Sequence, residues 1–272
     1  MIQTTRPVGS AAAGRATKLT SLGPTSPDAR AATPSSALRF ALVGATVRAF
    51  TSASLMRTAP AADRNKEPIA QALARFPPFS APSTRARCLE IASGTGQHVA
   101  HLAARFDHVT FQPTEYAGGC ATMDAEPSAD LVPAFASIKA WAGSLANVAE
   151  PQPLDASAAS WPSVEVGQPY DAIYAANICH ISPFAATEGL LAGAGRLLCP
   201  GGRAFIYGPF KVDGAHTAQS NEAFDRNLRA QDASWGVRDA GRLAELGAAH
   251  GLSLEERVPM PANNFILVFK KA

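Results

Sequence analysis

Residues 87–96 read RCLEIASGTG. A short apolar run, RCLEIA, breaks into a turn carrying two glycines. The next segment, QHVAHLAARF (97–106), places apolar residues at 99, 102, 103 and 106, a helical spacing. A buried strand that enters a helix through a glycine turn opens a βα unit. The same alternation continues downstream. HVTFQPTE (108–115) predicts a second strand, FASIKAWAGSLANV (135–148) a helix, PQPLDAS (151–157) a short strand, and YDAIYAAN (170–177) a fourth strand. FAATEGLLAGAGRLL (184–198) predicts a helix stopped by Pro200-Gly201-Gly202, and RAFIYGPF (203–210) a strand. Upstream, DRNKEPIAQALARF (63–76) predicts a helix with Pro68 in its first turn, ended by Pro77-Pro78. Helices at 221–231 and 239–251 precede two closing strands, LSLEERVPM and NNFILVFKK. Strands alternating with helices specify an α/β fold, a mostly parallel sheet covered on both faces.

The chain has 272 residues, 47% of them hydrophobic, ample for one sizeable core. Its formal charge of +2 hides an asymmetry. Residues 1–57 carry six arginines, Lys18 and the single acid Asp28, a net +6, so residues 58–272 sum to −4. The leader is rich in Ala, Ser, Thr and Arg and poor in acid. That composition predicts a disordered segment resembling an organelle transit peptide. Arg48-Ala49-Phe50 followed by Thr51-Ser52 resembles a mitochondrial processing site. The expected location is mitochondrial, with plastid or cytoplasm as alternatives. Residues 58–272 form the expected folded domain. Cys88, Cys120, Cys179 and Cys199 lie far apart without a C-x-x-C, which predicts neither a zinc cluster nor a disulfide framework. No apolar run reaches the ~18 residues a membrane span requires. The acidic domain offers no evident basic surface for nucleic acid. Nothing in the sequence speaks to oligomeric state.

An open α/β sheet binds ligands at the carboxyl ends of its strands, so the residues there carry the chemistry. A dinucleotide site wants G-x-G-x-x-G, but the third glycine position holds Val99, and Glu90 would set negative charge beside a pyrophosphate. S-adenosylmethionine (SAM) has the opposite need. Its sulfonium and ammonium groups are cations that an acid at the strand end attracts. E-x-x-x-G-x-G, formed by Glu90, Gly94 and Gly96 with Ala92 inside the turn, fits that cofactor. Glu115 ends the second strand, where an acid accepts from ribose hydroxyls, and Asp155 ends the third, within reach of an adenine amino group. Asn177, after the fourth strand, is placed against the methionine part.

The stretches APAADRNKEPI, LEIASGTGQH, FQPTE, NICHISP with TEGL, GRLLCPGG, YGPFKVDG, SNEAFDRNLRAQDASWGVRD and MPANN together resemble the methyltransferase-like protein 26 family, also called domain of unknown function 938. The resemblance covers about 59–272. It implies a Rossmann-like class I methyltransferase fold, with a mostly parallel seven-stranded sheet and an antiparallel C-terminal strand. It also implies SAM as cofactor, and it names no acceptor. The stretch 117–133 departs from the family pattern in being longer or more irregular.

Methyl transfer from a sulfonium requires an aligned acceptor and, where the acceptor carries a proton, a base. His180 is a candidate base or a loop-holding residue. Tyr207, at the end of the fifth strand, either orients an acceptor or packs. Arg64 and Asn65 precede the first strand and are candidates to close over the site. Asn263 and Asn264 are candidates to bind a polar substrate. His98 and His101 share a helix face but lack a third ligand, so no metal is expected. Cys179 beside His180 lacks a nucleophile elbow, which argues against a cysteine hydrolase. The loop FKVDGAHTAQSN is a candidate lid. The expected function is a SAM-dependent methyltransferase of a small-molecule acceptor. The alternative is a non-catalytic SAM-binding or interaction module with the same fold.

Overall fold

The computed structural model describes residues 55–117 and 132–272. The leader, but for its last three residues, and the irregular stretch at 118–131 lie outside the described residues.

Seven strands form the main sheet: β1 (Ala86–Ile91), β2 (Val109–Glu115), β3 (Gln152–Pro153), β4 (Tyr170–Ala176), β5 (Leu198–Gly208), β9 (Leu252–Met260) and β10 (Asn264–Lys271), in the order β3-β2-β1-β4-β5-β10-β9. The pairs from β3 through β5 are parallel, and β10 runs antiparallel to both β5 and β9. The chain builds outward from β1 to β3 and then returns to the other side of β1 with β4. Strand order therefore reverses between β1 and β4, and a crevice opens there at the carboxyl ends.

Helices cover both faces. α1 (Pro60–Leu73), α2 (Gln97–Arg105) and α3 (Val132–Ala142) belong to one face. α4 (Phe184–Leu197) and α6 (Ala240–Ala249) lie on the other. The two-residue period of β1 decides which side chain meets which layer. Cys88 joins Ile69, Leu102 and Phe111 in one core, and Leu89 and Ile91 join Leu190, Leu243 and Phe269 in the other. α5 (Gln219–Gln231) packs beside a small second sheet of β6 (Phe210–Val212), β7 (Ala215–His216) and β8 (Arg238–Asp239).

The structure moves several boundaries. α1 begins at Pro60, so Pro68 lies inside the helix rather than in its first turn. A mid-helix proline removes one backbone bond, and burial of Ile69, Ala70, Ala72 and Leu73 holds the segment helical regardless. α3 stops at Ala142 instead of 148. The Asn147 amide leaves it to donate to Ala103 and Val109 carbonyls (3.0 and 2.9 Å), and Phe111 N–H donates to the Asn147 carbonyl (2.8 Å). Pro200-Gly201-Gly202 lies within β5, not before it. Tyr170 pairs with Leu198 and Ala172 with Arg203, so the glycines form an irregularity inside the strand. The candidate lid is mostly built into the second sheet. Asp225 on α5 fixes it there, accepting from Val237 N–H (2.7 Å) and pairing with Lys211, His216 and Arg229. No described helix is long and apolar enough to cross a membrane.

Candidate active site

Hydrogen bonds tie the end of β1 and the turn after it to β2. Ser93 N–H donates to the Thr114 carbonyl (2.8 Å), Thr114 Oγ1 to the Glu90 carbonyl (2.7 Å), and Thr114 N–H to Ser93 Oγ (3.3 Å). The turn needs left-handed backbone at Ala92 (φ 58°), Gly94 (φ 58°) and Gly96 (φ 89°). The two glycines differ in purpose. At Gly94 nothing lies within 4 Å of where a Cβ would stand, so a ligand can approach the backbone. At Gly96 a Cβ would fall 2.7 Å from Ile138 Cα, so that glycine admits α3. Gly96 is not among the cavity-lining residues.

A cavity of about 500 Å³ opens beside this turn. Ala92 and Gly94 line it with Glu115 from the end of β2, Asp155 from the end of β3, and Ala176 and Ile178 on either side of Asn177. Glu115 Oε2 accepts from Gly94 N–H (2.6 Å) and Oε1 from Tyr116 N–H (2.9 Å). Burial nevertheless holds the Glu115 carboxyl above its ordinary range, outweighing those two donors and Arg57. Asp155 Oδ1 accepts from Ser157 N–H and Oγ (2.8 and 2.6 Å), which fixes the exit of β3. Asn177 sits in left-handed backbone (φ 66°) and opens the 3-10 turn Ile178–His180. The remaining lining is largely apolar, with Tyr116, Ile181 and Trp235 among it.

Glu90 lies immediately before the cavity. It is 2% exposed, and its Oε2 has no hydrogen-bond partner among the described residues. Burial, reinforced by the Glu115 charge and opposed by the Ser93 hydroxyl, raises its carboxyl to about 7. Tyr174, its register partner on β4, has a buried hydroxyl that is also unpartnered.

The acceptor-side candidates fall into three places. Tyr207 is buried at the end of β5, where burial raises its phenol against the neighbouring Asn65 amide and Arg64 charge. Asn65 Oδ1 also meets His98 Nε2 (2.6 Å), and His101 Nε2 meets Glu67 Oε2 (2.9 Å). Both histidines therefore join α2 to α1. His180 is buried, and burial followed by the Arg238 charge lowers its imidazole to about 4. Its ring meets Phe224 edge-on at 5.3 Å. A Cβ at Gly208 would stand 3.3 Å from its Nδ1 and 3.9 Å from Asn177 Oδ1, so Gly208 leaves room for both side chains. Asn263 and Asn264 hold the β9–β10 connection. The Asn263 carbonyl accepts from Asn221 (2.9 Å), and the Asn264 amide donates to the Pro261 carbonyl (3.1 Å). Neither lines the cavity. Burial pushes the Cys179 thiol up to about 11, which leaves it unreactive. Among the described residues no group of three metal-type side chains gathers.

Sequence reasoning missed Tyr116 and Trp235. Tyr116 is 52% exposed yet lines the cavity directly after the strand-end acid, a position that marks it in retrospect. Trp235 reaches the cavity from the connection before β8, and no local pattern signals that.

Residues 56–271 match a family described as "Protein of unknown function (DUF938)". Among solved structures the chain is similar to an O-methyltransferase family protein from Burkholderia thailandensis, at 16% identity and a TM-score of 0.59, over 81% of this chain and 58% of that one. It is similar to human N-acetylserotonin methyltransferase in complex with SAM, at 11% identity and a TM-score of 0.59, over 81% and 55%. It is also similar to the SAH-bound form of CalO1, a methyltransferase in calicheamicin biosynthesis, at 17% identity and a TM-score of 0.54, over 78% and 54%. The chain thus spans little more than half the length of these neighbours. The shared property is the fold, a Rossmann-like methyltransferase sheet with its C-terminal strands antiparallel.

Proposed function

The chain belongs to the DUF938 family, and we propose that it is a SAM-dependent methyltransferase of a small-molecule acceptor and a member of the methyltransferase-like protein 26 family. The observation that carries the reading is convergence. Ala92, Gly94, Glu115 and Asp155, from three separate strand ends, line one cavity at the point where strand order reverses. The residues fit the cofactor by their chemistry. The open space at Gly94 suits close approach, Glu115 and Asp155 suit a ribose and an adenine amino group, and the orphaned Glu90 oxygen suits a cation. Tyr116 offers a ring face for the base.

When bound, SAM supplies an electrophilic methyl group on a positively charged sulfur. The chain aligns an acceptor with that group and excludes water from it. Asn177, held in left-handed backbone beside the cavity, orients the methionine end. His180, in the turn after β4, and Tyr207, near the end of β5, do not line the cavity themselves, and we assign them to the acceptor from their place just behind it. His180 is neutral at physiological pH and accepts a hydrogen bond from an acceptor hydroxyl or amine without setting a second positive charge beside the cofactor. Arg64 and Asn65 close the α1 side.

Incubating the full chain with methyl-labelled SAM and a panel of small hydroxyl, amine and thiol compounds tests the reading. We expect label on at least one compound, reduced at least tenfold in His180→Ala. Cofactor binding with no transfer to any member would instead favour a non-catalytic module.

A further inference from the structure

Glu90 occupies an unusual position for a carboxyl group. It is the penultimate residue of β1, one residue before the cavity lining begins at Ile91. Its side chain turns to the α1–α2 face, as Cys88 does two residues earlier. Oε2 has no partner, and directly across on β4 the Tyr174 hydroxyl has none. A buried polar atom in a folded protein usually has a partner. Two orphaned atoms on opposed residues mark a place built for a group that arrives later.

The surroundings fix which charge that group carries. From β2, Glu115 presents a second carboxyl group. From β1, the Cys88 thiol is buried and neutral. From β4 and β5, Tyr174 and Tyr207 are un-ionised phenols. From α2, the His98 ring packs against Tyr174 at 6.0 Å, and burial, then His101 and Lys66, keeps it neutral. From the turn, Ser93 brings a hydroxyl. From α1, the Arg64 charge and Asn65 amide act on Tyr207. No cation among the described residues pairs with Glu90, so ionised Glu90 would be an uncompensated buried charge facing another acid.

We propose that below neutral pH Glu90 rests as a neutral carboxylic acid in the free protein and loses its proton to solvent when a cationic group of the cofactor, ammonium or sulfonium, enters beside it. Cofactor capture and proton release are then one event. The inference rests on the cofactor reading above and adds to it a dependence of that site on pH. The sign follows from the free-state carboxyl lying at about 7. Above that pH the acid is already ionised, and affinity for the cofactor is flat. Below it each bound cofactor must expel a proton, so affinity falls by roughly tenfold per pH unit. Glu115 is a second raised acid at the same cavity, so the Glu90 contribution must be isolated by substitution.

Calorimetric titration of the full chain with SAM near pH 6, in two buffers of different ionisation enthalpy, counts the protons released. We expect close to one proton per cofactor in the wild type. Glu90→Gln, which mimics the neutral acid, should release markedly fewer protons than the wild type, and its affinity should fall less steeply from about pH 7 to 5.5, any remainder being that of Glu115. Repeating the titration with the demethylated cofactor separates the two cations. Release with both ligands places the trigger at the ammonium, and release with SAM alone places it at the sulfonium. Tight binding without proton release, or undiminished release in Glu90→Gln, would overturn this inference and leave the cofactor reading standing. No binding in the wild type would end both.

Discussion

At the turn after β1, Ala92 carries a side chain where the backbone is left-handed (φ 58°). A non-glycine residue there is strained by about 1–2 kcal/mol, partly offset because alanine restricts the unfolded chain more than glycine does. Ala92→Gly should therefore raise stability by roughly 0.5–1 kcal/mol, read as a higher denaturant midpoint with unchanged slope. At this scale three of the proposed cofactor-side residues were legible as cavity lining, Gly94, Glu115 and Asp155. Each stands at the end of, or just after, a strand that hydrophobic pattern alone locates. The role of Gly96 was not legible, because its requirement comes from α3, a helix more than 35 residues away. The acceptor side was legible only as residue types. Nothing in the order of residues says that Gly208 makes room for His180, or that Phe224, 39% exposed, covers its edge.

Among the elements, α4 shows most clearly how packing overrides local preference. Its sequence FAATEGLLAGAGRL holds three glycines, poor helix formers. A Cβ at Gly189 would collide with the Ala156 carbonyl, and one at Gly193 with the Trp161 indole. The glycines thus let the segment after β3 lie flat on the helix, and that segment supplies Asp155 and Ala156 to the cavity. Gly193→Ala gains ~1 kcal/mol of helix propensity but must displace a buried tryptophan, an overpacking cost of about 1–3 kcal/mol. We expect a net loss of thermal stability and an increase in tryptophan solvent exposure, read by fluorescence. Element existence was legible in the sequence and element ends were not. α1 tolerates Pro68, α3 yields to Asn147, and β5 absorbs Pro200-Gly201-Gly202, each through a contact with a segment distant in the chain or a buried face.

For the whole molecule, the decisive feature is the return of β4 to the far side of β1. That crossover opens a crevice beside β1, where the glycine turn, Glu115 and Asp155 line one cavity and Glu90 lies just before it. The sequence showed alternating strands and helices but not their order in space. The order places the cavity, and it sets Glu115 and Asp155 in one lining instead of on separate solvated loops. The second sheet, anchored by Asp225, was read as a candidate lid because its strands are only two or three residues long, below the length at which alternation is visible. The central claim is that this crevice holds SAM, and calorimetric titration of the full chain and its Glu115→Ala variant with SAM near pH 8 tests it most directly. We expect binding in the micromolar range, weakened at least tenfold in the variant. No binding at millimolar ligand to folded wild-type protein, or equal affinity in both proteins, would contradict it.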